Sequence, residues 1–341
     1  MSTRVLNETI ESFRRGCDMD VTNAEPLLDA LITGSDEALM AELFRVWDRK
    51  GIAEDEIYSI ARSMRDRCTT VNSKHESFVD IVGTGGSHAK TFNVSTAAAF
   101  LVAGHGVAVA KHGNKAATSN SGSADVLSAL GIEPAVDAAK AERCLNEIGI
   151  CFMFAPNFHR LSPTLGKVRR ALGFPTIFNC VGPLCNPASA PHQLIGVWSK
   201  KLVPKMANAL ARLGTKKSWI VHGSDGLDEI SLSGPTFVAE VESESVREFE
   251  ISPADFGSVA SPIESFKARS ADESAAIINR IFAAEHRFDP IQEIVLINAA
   301  AALCLTDRVD DLEAGMRFAF DSISFGHARK KLKALANAVK N

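Results

Sequence analysis

The feature that most constrains this chain is a change of hydrophobic period near residue 76. Upstream, apolar residues recur every three or four positions, and nothing alternates with the period of two that marks a half-buried strand. Val5, Leu6, Ile10 and Phe13 share one helical face. Thr22 and Glu25 have capping-box spacing ahead of Leu27, Leu28, Leu31 and Ile32, and Gly34 ends that segment. Ser35 is placed to cap the next helix, whose buried face is Leu39, Leu43, Phe44 and Trp47, and Gly51 stops it. A further helix is expected over about 55–68, with Ile57, Ile60, Ala61 and Met64 inward. Residues 1–72 therefore read as a small helical domain.

Downstream, short apolar runs break into glycine-rich or polar loops that lead into helices. Strands are expected at 77–82, 106–110, 150–154, 194–198 and 219–221, with helices at 93–103 and 124–130 among them. Such alternation makes an α/β domain with a central, mostly parallel sheet covered by helices, here over 76–341. At 341 residues the chain exceeds the length at which one core usually stops growing, which agrees with two domains. A Pro/Gly-punctuated insert, 163–187, carries one expected helix at 165–172. The pattern leaves open whether it packs back onto the N-terminal helices.

Composition narrows the class of function. With 46% hydrophobic and 23% charged residues the chain is an ordinary globular protein, and a net charge of −4 argues against a surface built to neutralise nucleic-acid phosphates. Seven cysteines, at 17, 68, 144, 151, 180, 185 and 304, lack the spacing of a disulfide or zinc framework and read as reduced, mostly buried thiols. Glu8, Glu11, Arg14 and Arg15 interrupt the start, so no signal peptide is expected, and the apolar stretches 97–104 and 294–305 are too short to span a bilayer. A cytoplasmic protein without membrane contact is the expectation.

Ligands of open α/β sheets collect at the carboxyl ends of the strands, and three polar motifs occupy such positions. The first, Gly83-Thr84-Gly85-Gly86-Ser87, continues through Thr91, Asn93, Ser95 and Thr96 to a helix start. Glycines allow backbone N–H groups close to an anion, and a helix N-terminus adds free donors. The spacing is neither a Walker loop nor a dinucleotide fingerprint, and a plain turn with helix caps explains it about as well. The second, Lys111-His112-Gly113-Asn114, leads through Thr118, Ser119, Ser121, Gly122 and Ser123 into another helix, adding a cation and hydroxyl donors. A second loop of phosphate-binding type weakens the case for coincidence. The third runs from His222-Gly223 to Asp228-Glu229. Adjacent carboxylates suit magnesium, though an Asp/Gly loop is more often a turn. A fourth cluster, Phe154 to His159, Arg169 and Phe178 to Pro187, suits an organic substrate. Arginine's fork clamps a planar carboxylate, although most helix arginines are simply exposed.

Taken in order, these motifs resemble the anthranilate phosphoribosyltransferase family. The resemblance runs from Gly83-Thr84-Gly85-Gly86 with Asn93-Val94-Ser95-Thr96, through Lys111 to Asn114 and Gly122 to Asp125, to Phe152 to Pro156. It continues through Thr176 to Asn179 with Gly182-Pro183-Leu184, His222 to Glu229, and Asn298-Ala299-Ala300. It covers most of the chain and implies a nucleoside phosphorylase/phosphoribosyltransferase-like fold and a homodimer formed through the helical part. It implies that Gly83, Thr84, Gly85, Gly86, Ser87, Thr91, Asn93, Val94, Ser95, Thr96, Lys111, His112, Gly113, Asn114, Ser119 and Ser123 hold phosphoribosyl pyrophosphate. Gly83, Asn114, Arg169, His112, His159 and Pro183 would hold or admit anthranilate, and Ser95, Asp228 and Glu229 would hold Mg2+.

Two departures are visible: Ser87-His88 stand where the family more often has aspartate and glycine, and Lys115 replaces its usual arginine. The implied reaction displaces pyrophosphate by an amine that is already neutral, as part of tryptophan biosynthesis, so positioning and electrostatics suffice and no catalytic base is assigned. A pyrimidine nucleoside phosphorylase would not need Asp228-Glu229. A non-catalytic nucleic-acid-binding homologue would need a basic surface the charge balance does not supply.

Overall fold

The structure, a computed structural model, describes residues 2–87, 89–116, 121–284 and 289–340, and structural statements below concern these. The chain opens with α1 (Ser2–Arg14), α2 (Ala24–Thr33), α3 (Glu37–Lys50) and α4 (Glu54–Arg67), whose apolar faces meet as their spacing requires. Both expected caps are corrected. Asp36, adjacent to the first residue of α3, accepts the Leu39 N–H at 3.0 Å, and Ser35 lies one position too far out. A 3-10 turn occupies Val21–Asn23, so Asp20 accepts from the backbone and hydroxyl of Thr22 and no Thr22 box forms. The helices are knotted together by Glu56, which is fully buried. It accepts from Trp47 Nε1 at 2.7 Å, from the Met19 and Ala53 backbone N–H groups, and from Lys50 Nζ at 2.9 Å.

Seven strands follow: β1 (Phe78–Gly83), β2 (Ala108–Gly113), β3 (Ile150–Phe154), β4 (His192–Gly196), β5 (Lys217–Gly223), β6 (Thr236–Glu242) and β7 (Ser245–Ile251). Their order is β3-β2-β1-β4-β5-β6-β7, with the first five parallel and the last two antiparallel. The α/β class with a mostly parallel sheet is as expected. β2 and β5 run further than expected, because pairing of Lys111 with Phe152 and of His112 with Met153 extends the ladder, so Lys111, His112 and His222 lie on strands and not in loops. The β6–β7 hairpin was not expected at all.

Helices α5 (Val94–Gly104) and α6 (Ser123–Ala129) follow β1 and β2, and α7 (Ala138–Arg143) runs through a π turn at Cys144–Ile148 into β3. Three short helices come next: α8 (Ala155–His159), α9 (Pro163–Leu172) and α10 (Ile177–Leu184). The last is a correction to the expected single helix of the insert, since Asn179 Oδ1 accepts from the Thr176 N–H and closes its first turn. α11 (Val203–Arg212) lies between β4 and β5, and α12 (Ala271–Phe282), α13 (Pro290–Leu305), α14 (Leu312–Ser324) and α15 (His327–Lys340) complete the chain. No described helix is long and apolar enough to cross a membrane, and the seven cysteines carry no disulfide.

Apolar burial forms two clusters. One joins α5, α6 and α12–α15 to the sheet; the other joins α1–α4 to α9, α10, α11 and to Ile195, Ile220 and Ala239 of the strands. Phe178 of α10 meets Phe44 of α3 edge-on at 6.1 Å, so the insert packs on the N-terminal helices. From β1 the chain moves to β2 and β3 on one side, then crosses back to β4 on the other. That reversal opens a crevice beyond the carboxyl ends of β1 and β4, where such sheets bind ligands.

Candidate functional site

The crevice is built from glycines at strand ends. Gly85 has φ +66°, a conformation natural to glycine, and its N–H donates to Asp228 Oδ2 at 2.9 Å. A β-carbon on Gly196, the last residue of β4, would lie 1.6 Å from the Asp228 carbonyl oxygen, and one on Gly83 would lie 3.0 Å from Asp228 Oδ2. These two bare α-carbons let the acidic loop lie directly on the sheet edge. Ser87 Oγ donates to the Gly226 carbonyl at 3.1 Å and accepts from the Ala89 N–H, clipping the glycine loop to the acidic one. Across from it, Asp125 accepts from the N–H groups of Ala116 and Gly122, both at 2.9 Å, and gathers in the loop that leaves β2.

Beneath the loops lies a buried charge layer. Lys111 donates to the Ile81 carbonyl at 2.5 Å and reaches Ser95 Oγ at 3.4 Å, and burial lowers its ammonium to about 8. Asp80, fully buried on β1, accepts from the His112 N–H at 3.1 Å and from Asn186 Nδ2 at 2.8 Å. Burial raises its carboxyl to about 6 against the opposing pull of Lys111. Asp80 was not expected, since a lone aspartate in an apolar strand has no motif to mark it, and Asn186, expected in the organic-substrate cluster, bonds Asp80 instead.

The acidic loop is held by Asn298 of α13, which accepts from the Ile230 N–H at 3.0 Å and donates to the Ile230 carbonyl at 3.0 Å. Glu229 Oε1 accepts from the Ser95 N–H at 2.9 Å, while its Oε2 is buried with no partner. Burial first, and adjacent Asp228 second, push the Glu229 carboxyl well above its usual range. Burial raises Asp228 as well. Two desolvated carboxylates, one with an orphaned oxygen, fit a hard cation with oxygen ligands. Among the described residues no group of three or more His, Cys, Asp or Glu side chains is assembled for a metal. A pair of carboxylates with one hydroxyl is the small donor set magnesium takes when waters and substrate phosphates complete it.

The far wall comes from α8, α9 and α10. Half-buried Arg169 donates to Asn179 Oδ1 at 3.3 Å and stands 5.2 Å from the centre of the Phe178 ring, with its Nε unpaired. Asn179 Nδ2 in turn donates to the Thr84 carbonyl at 3.0 Å, joining this wall to the glycine loop. His112 Nε2 and His159 Nε2 are 3.1 Å apart with both rings buried. Burial pushes His112 well below its usual range and His159 to about 4, so both are neutral near pH 7 and one donates to the other.

Of the residues singled out in the sequence, Gly83, Thr84, Gly85, Ser87, Thr91, Asn93, Ser95, Lys111, His112, Gly113, Asn114, Ser123, His159, Arg169, Pro183, Asp228 and Glu229 all line this one cleft. Three do not. Gly86 turns its α-carbon to the Trp198 ring, which a β-carbon would approach to 2.8 Å. Val94 and Thr96 sit in the core at the start of α5, because the first turn of that helix points them inward. Ser119, with Thr118 and His88, lies outside the described residues. Phe178 and Asn179, from the cluster expected to meet an organic substrate, also line the cleft, as does Lys90, for which the sequence pattern assigned no role.

The chain matches the model of the glycosyl transferase family, a/b domain, over residues 75–329. It is 42% identical over 331 residues to an anthranilate phosphoribosyltransferase of Symbiobacterium thermophilum, spanning 97% of this chain and 96% of that protein. Among solved structures it is similar to anthranilate phosphoribosyltransferase from Thermus thermophilus, with a TM-score of 0.89, 32% identity and coverage of 98% and 99%. It is also similar to the Saccharomyces cerevisiae enzyme in complex with PRPP and Mg, with a TM-score of 0.87, 28% identity and 98% of each chain covered.

Proposed function

The chain belongs to the anthranilate phosphoribosyltransferase family, and from that premise we propose that the cleft beyond the carboxyl ends of β1 and β4 is its active site. There the phosphoribosyl group of phosphoribosyl pyrophosphate passes to the amine of anthranilate, giving N-(5-phosphoribosyl)anthranilate and pyrophosphate. One observation carries the reading. The glycine loop, Lys111 and the Asp228–Glu229 pair line the same cleft as Arg169, so an anionic donor and a carboxylate-bearing acceptor face each other.

Donor binding falls to Gly83, Thr84, Gly85, Ser87, Thr91, Asn93, Ser95, Lys111, Gly113, Asn114 and Ser123, with Ser119 included on the resemblance alone. Gly86, Val94 and Thr96 act indirectly, by shaping the loop and the start of α5. Backbone N–H groups and a buried ammonium are fixed donors that need no reorganisation as charge develops on the leaving group. Asp228, Glu229 and Ser95 would hold magnesium, which when bound neutralises the departing pyrophosphate. Arg169 clamps the acceptor carboxylate through two parallel N–H bonds, Asn114 and Gly83 flank it, and Pro183 shapes its path. The neutral His112–His159 pair lines the acceptor side without presenting a charge that would repel an aromatic ring. The acceptor amine is neutral at physiological pH, so holding both reactants in line supplies the larger part of the acceleration, roughly 7–11 kcal/mol at best.

Several finer points belong to the same reading. A place in tryptophan biosynthesis follows from the product. A cytoplasmic site is consistent with reduced cysteines, and a homodimer through α1–α4 follows from the resemblance. A division into 1–72 and 76–341 is supported by the separate period of the first four helices. Incubation with phosphoribosyl pyrophosphate, magnesium and anthranilate should release pyrophosphate, and Asp228→Asn or Glu229→Gln should lower turnover by about 10²–10³-fold with the fold intact. Full activity in excess chelator would remove the metal from the scheme, and no release with any aminobenzoate would remove the reaction.

A further inference from the structure

Four cations line the cleft among the described residues: Lys90, Lys111, Lys115 and Arg169. Lys111 is buried and bonded to Ile81 and Ser95, and Arg169 is engaged with Asn179 on the opposite wall. Lys115 belongs to the loop after β2. Lys90 is the cation that the loop after β1 brings to the cleft, it is exposed, and no described carboxylate pairs with it.

Its placement is enforced. Lys90 has φ +53°, a left-handed conformation that costs a residue with a β-carbon and persists only where surroundings hold it. The surroundings here are a short strap in the connection between β7 and α12. The Lys90 carbonyl accepts from the Ala268 N–H at 3.1 Å, Thr91 bridges Lys267 in antiparallel fashion, and the Phe92 N–H donates to the Phe266 carbonyl at 2.7 Å. Phe266 is fully buried and anchors the strap in the core. Bonds at Lys90 and at the two residues after it hold the backbone of this unpaired lysine at the β1 side of the cleft.

We propose that Lys90 is a donor-binding residue, its ammonium meeting a phosphate group of phosphoribosyl pyrophosphate from the β1 side of the cleft. The assignment rests on the reaction proposed above. Either end of the donor supplies the same chemistry, a phosphate oxygen, so the test separates them. Lys90→Ala should raise the KM for phosphoribosyl pyrophosphate about tenfold, as expected for one charge-assisted contact, and leave the KM for anthranilate unchanged. Lys90→Arg should restore most of the donor affinity. Titration calorimetry with magnesium pyrophosphate and with ribose 5-phosphate, each against the Lys90→Ala variant, should show weakening for one of them and so name the end contacted. A donor KM within about twofold of the unaltered protein and unchanged calorimetry would overturn the assignment, as would an arginine variant as impaired as the alanine one. An equal rise in both KM values would also overturn it, since that marks a loop that has merely shifted. Failure of the underlying reading would look different, because the unaltered protein would then release no pyrophosphate at all.

Discussion

At the scale of single residues, backbone and side-chain contributions to the cleft separate cleanly. Arg169→Ala should weaken anthranilate by a lost charge-assisted hydrogen bond, about 1.5–3 kcal/mol or tenfold to a hundredfold or more in KM, with the donor little affected. Varying each substrate in steady state checks this, and an unchanged anthranilate KM beside a raised donor KM would reverse the roles. In the glycine loop the expected ranking is Gly86→Ala worst, because the new methyl meets the Trp198 ring. Gly85→Ala should also be damaging, because φ +66° is strained for alanine. Ser87→Ala should cost about 0.5–1.5 kcal/mol for each of its two bonds, to the Gly226 carbonyl and from the Ala89 N–H. kcat/KM for the donor, with circular dichroism to confirm folding, tests the order; Ser87→Ala as severe as Gly86→Ala would show that the clip matters more than the backbone cradle. Much of this cleft was legible beforehand because glycines, hydroxyls and paired carboxylates cluster at strand ends, where sequence neighbours are also spatial neighbours. Asp80 and its bond to Asn186 were not, since the two residues are 106 positions apart and meet only through the fold.

At the scale of elements, the N-terminal helices depend on one buried charge. Glu56→Ala removes the acceptor for Trp47, Met19 and Ala53 and leaves the Lys50 ammonium, itself only 5% exposed, with exposed Asp18 as its remaining partner. Breaking such a pair costs about 3–5 kcal/mol. Urea unfolding should show that loss, and a change below about 1 kcal/mol would mean the helices are held by apolar packing alone. Helix positions were readable to within a few residues because a period near 3.6 persists over three turns. Caps were not, because Ser35 and Asp36 both suit the role and only geometry chooses between them. The β6–β7 hairpin escaped notice for a related reason. Its connection at Ser243, where φ is +56°, has no Asn-Gly or Asp-Gly pair to announce a tight turn.

At the scale of the whole molecule, buried titratable groups tie stability to acidity. The unfolded chain protonates His159 near 6.5, while the folded chain resists until about 4. Stability from this group is therefore complete above 6.5 and lost as pH falls toward 4, with His112 acting in the same direction. Asp80 opposes them, since the folded chain keeps its proton up to about 6 and the unfolded chain releases it near 3.8. Between pH 7 and 5, His159 alone should cost roughly 2 kcal/mol, so His159→Gln should flatten the pH dependence of urea unfolding by about that amount. Parallel pH curves for variant and unaltered protein would show that the ring titrates freely in the fold.

The antiparallel hairpin that ends the sheet bears on how copies of this protein behave toward one another. An exposed strand edge is a template onto which another chain can add, and β7 is such an edge. Its side chains run Arg247, Glu248, Phe249, Glu250, with both glutamates and the arginine exposed and the phenylalanine covered by the arginine and Trp219. A second β7 laid alongside would have to desolvate Arg247, Glu248 and Glu250 and would find no bare apolar ribbon. At the other rim β3 is apolar but buried, with α7 and α15 packed against it. In a crowded cell the sheet thus offers one rim fringed with solvated charge and one packed under helices.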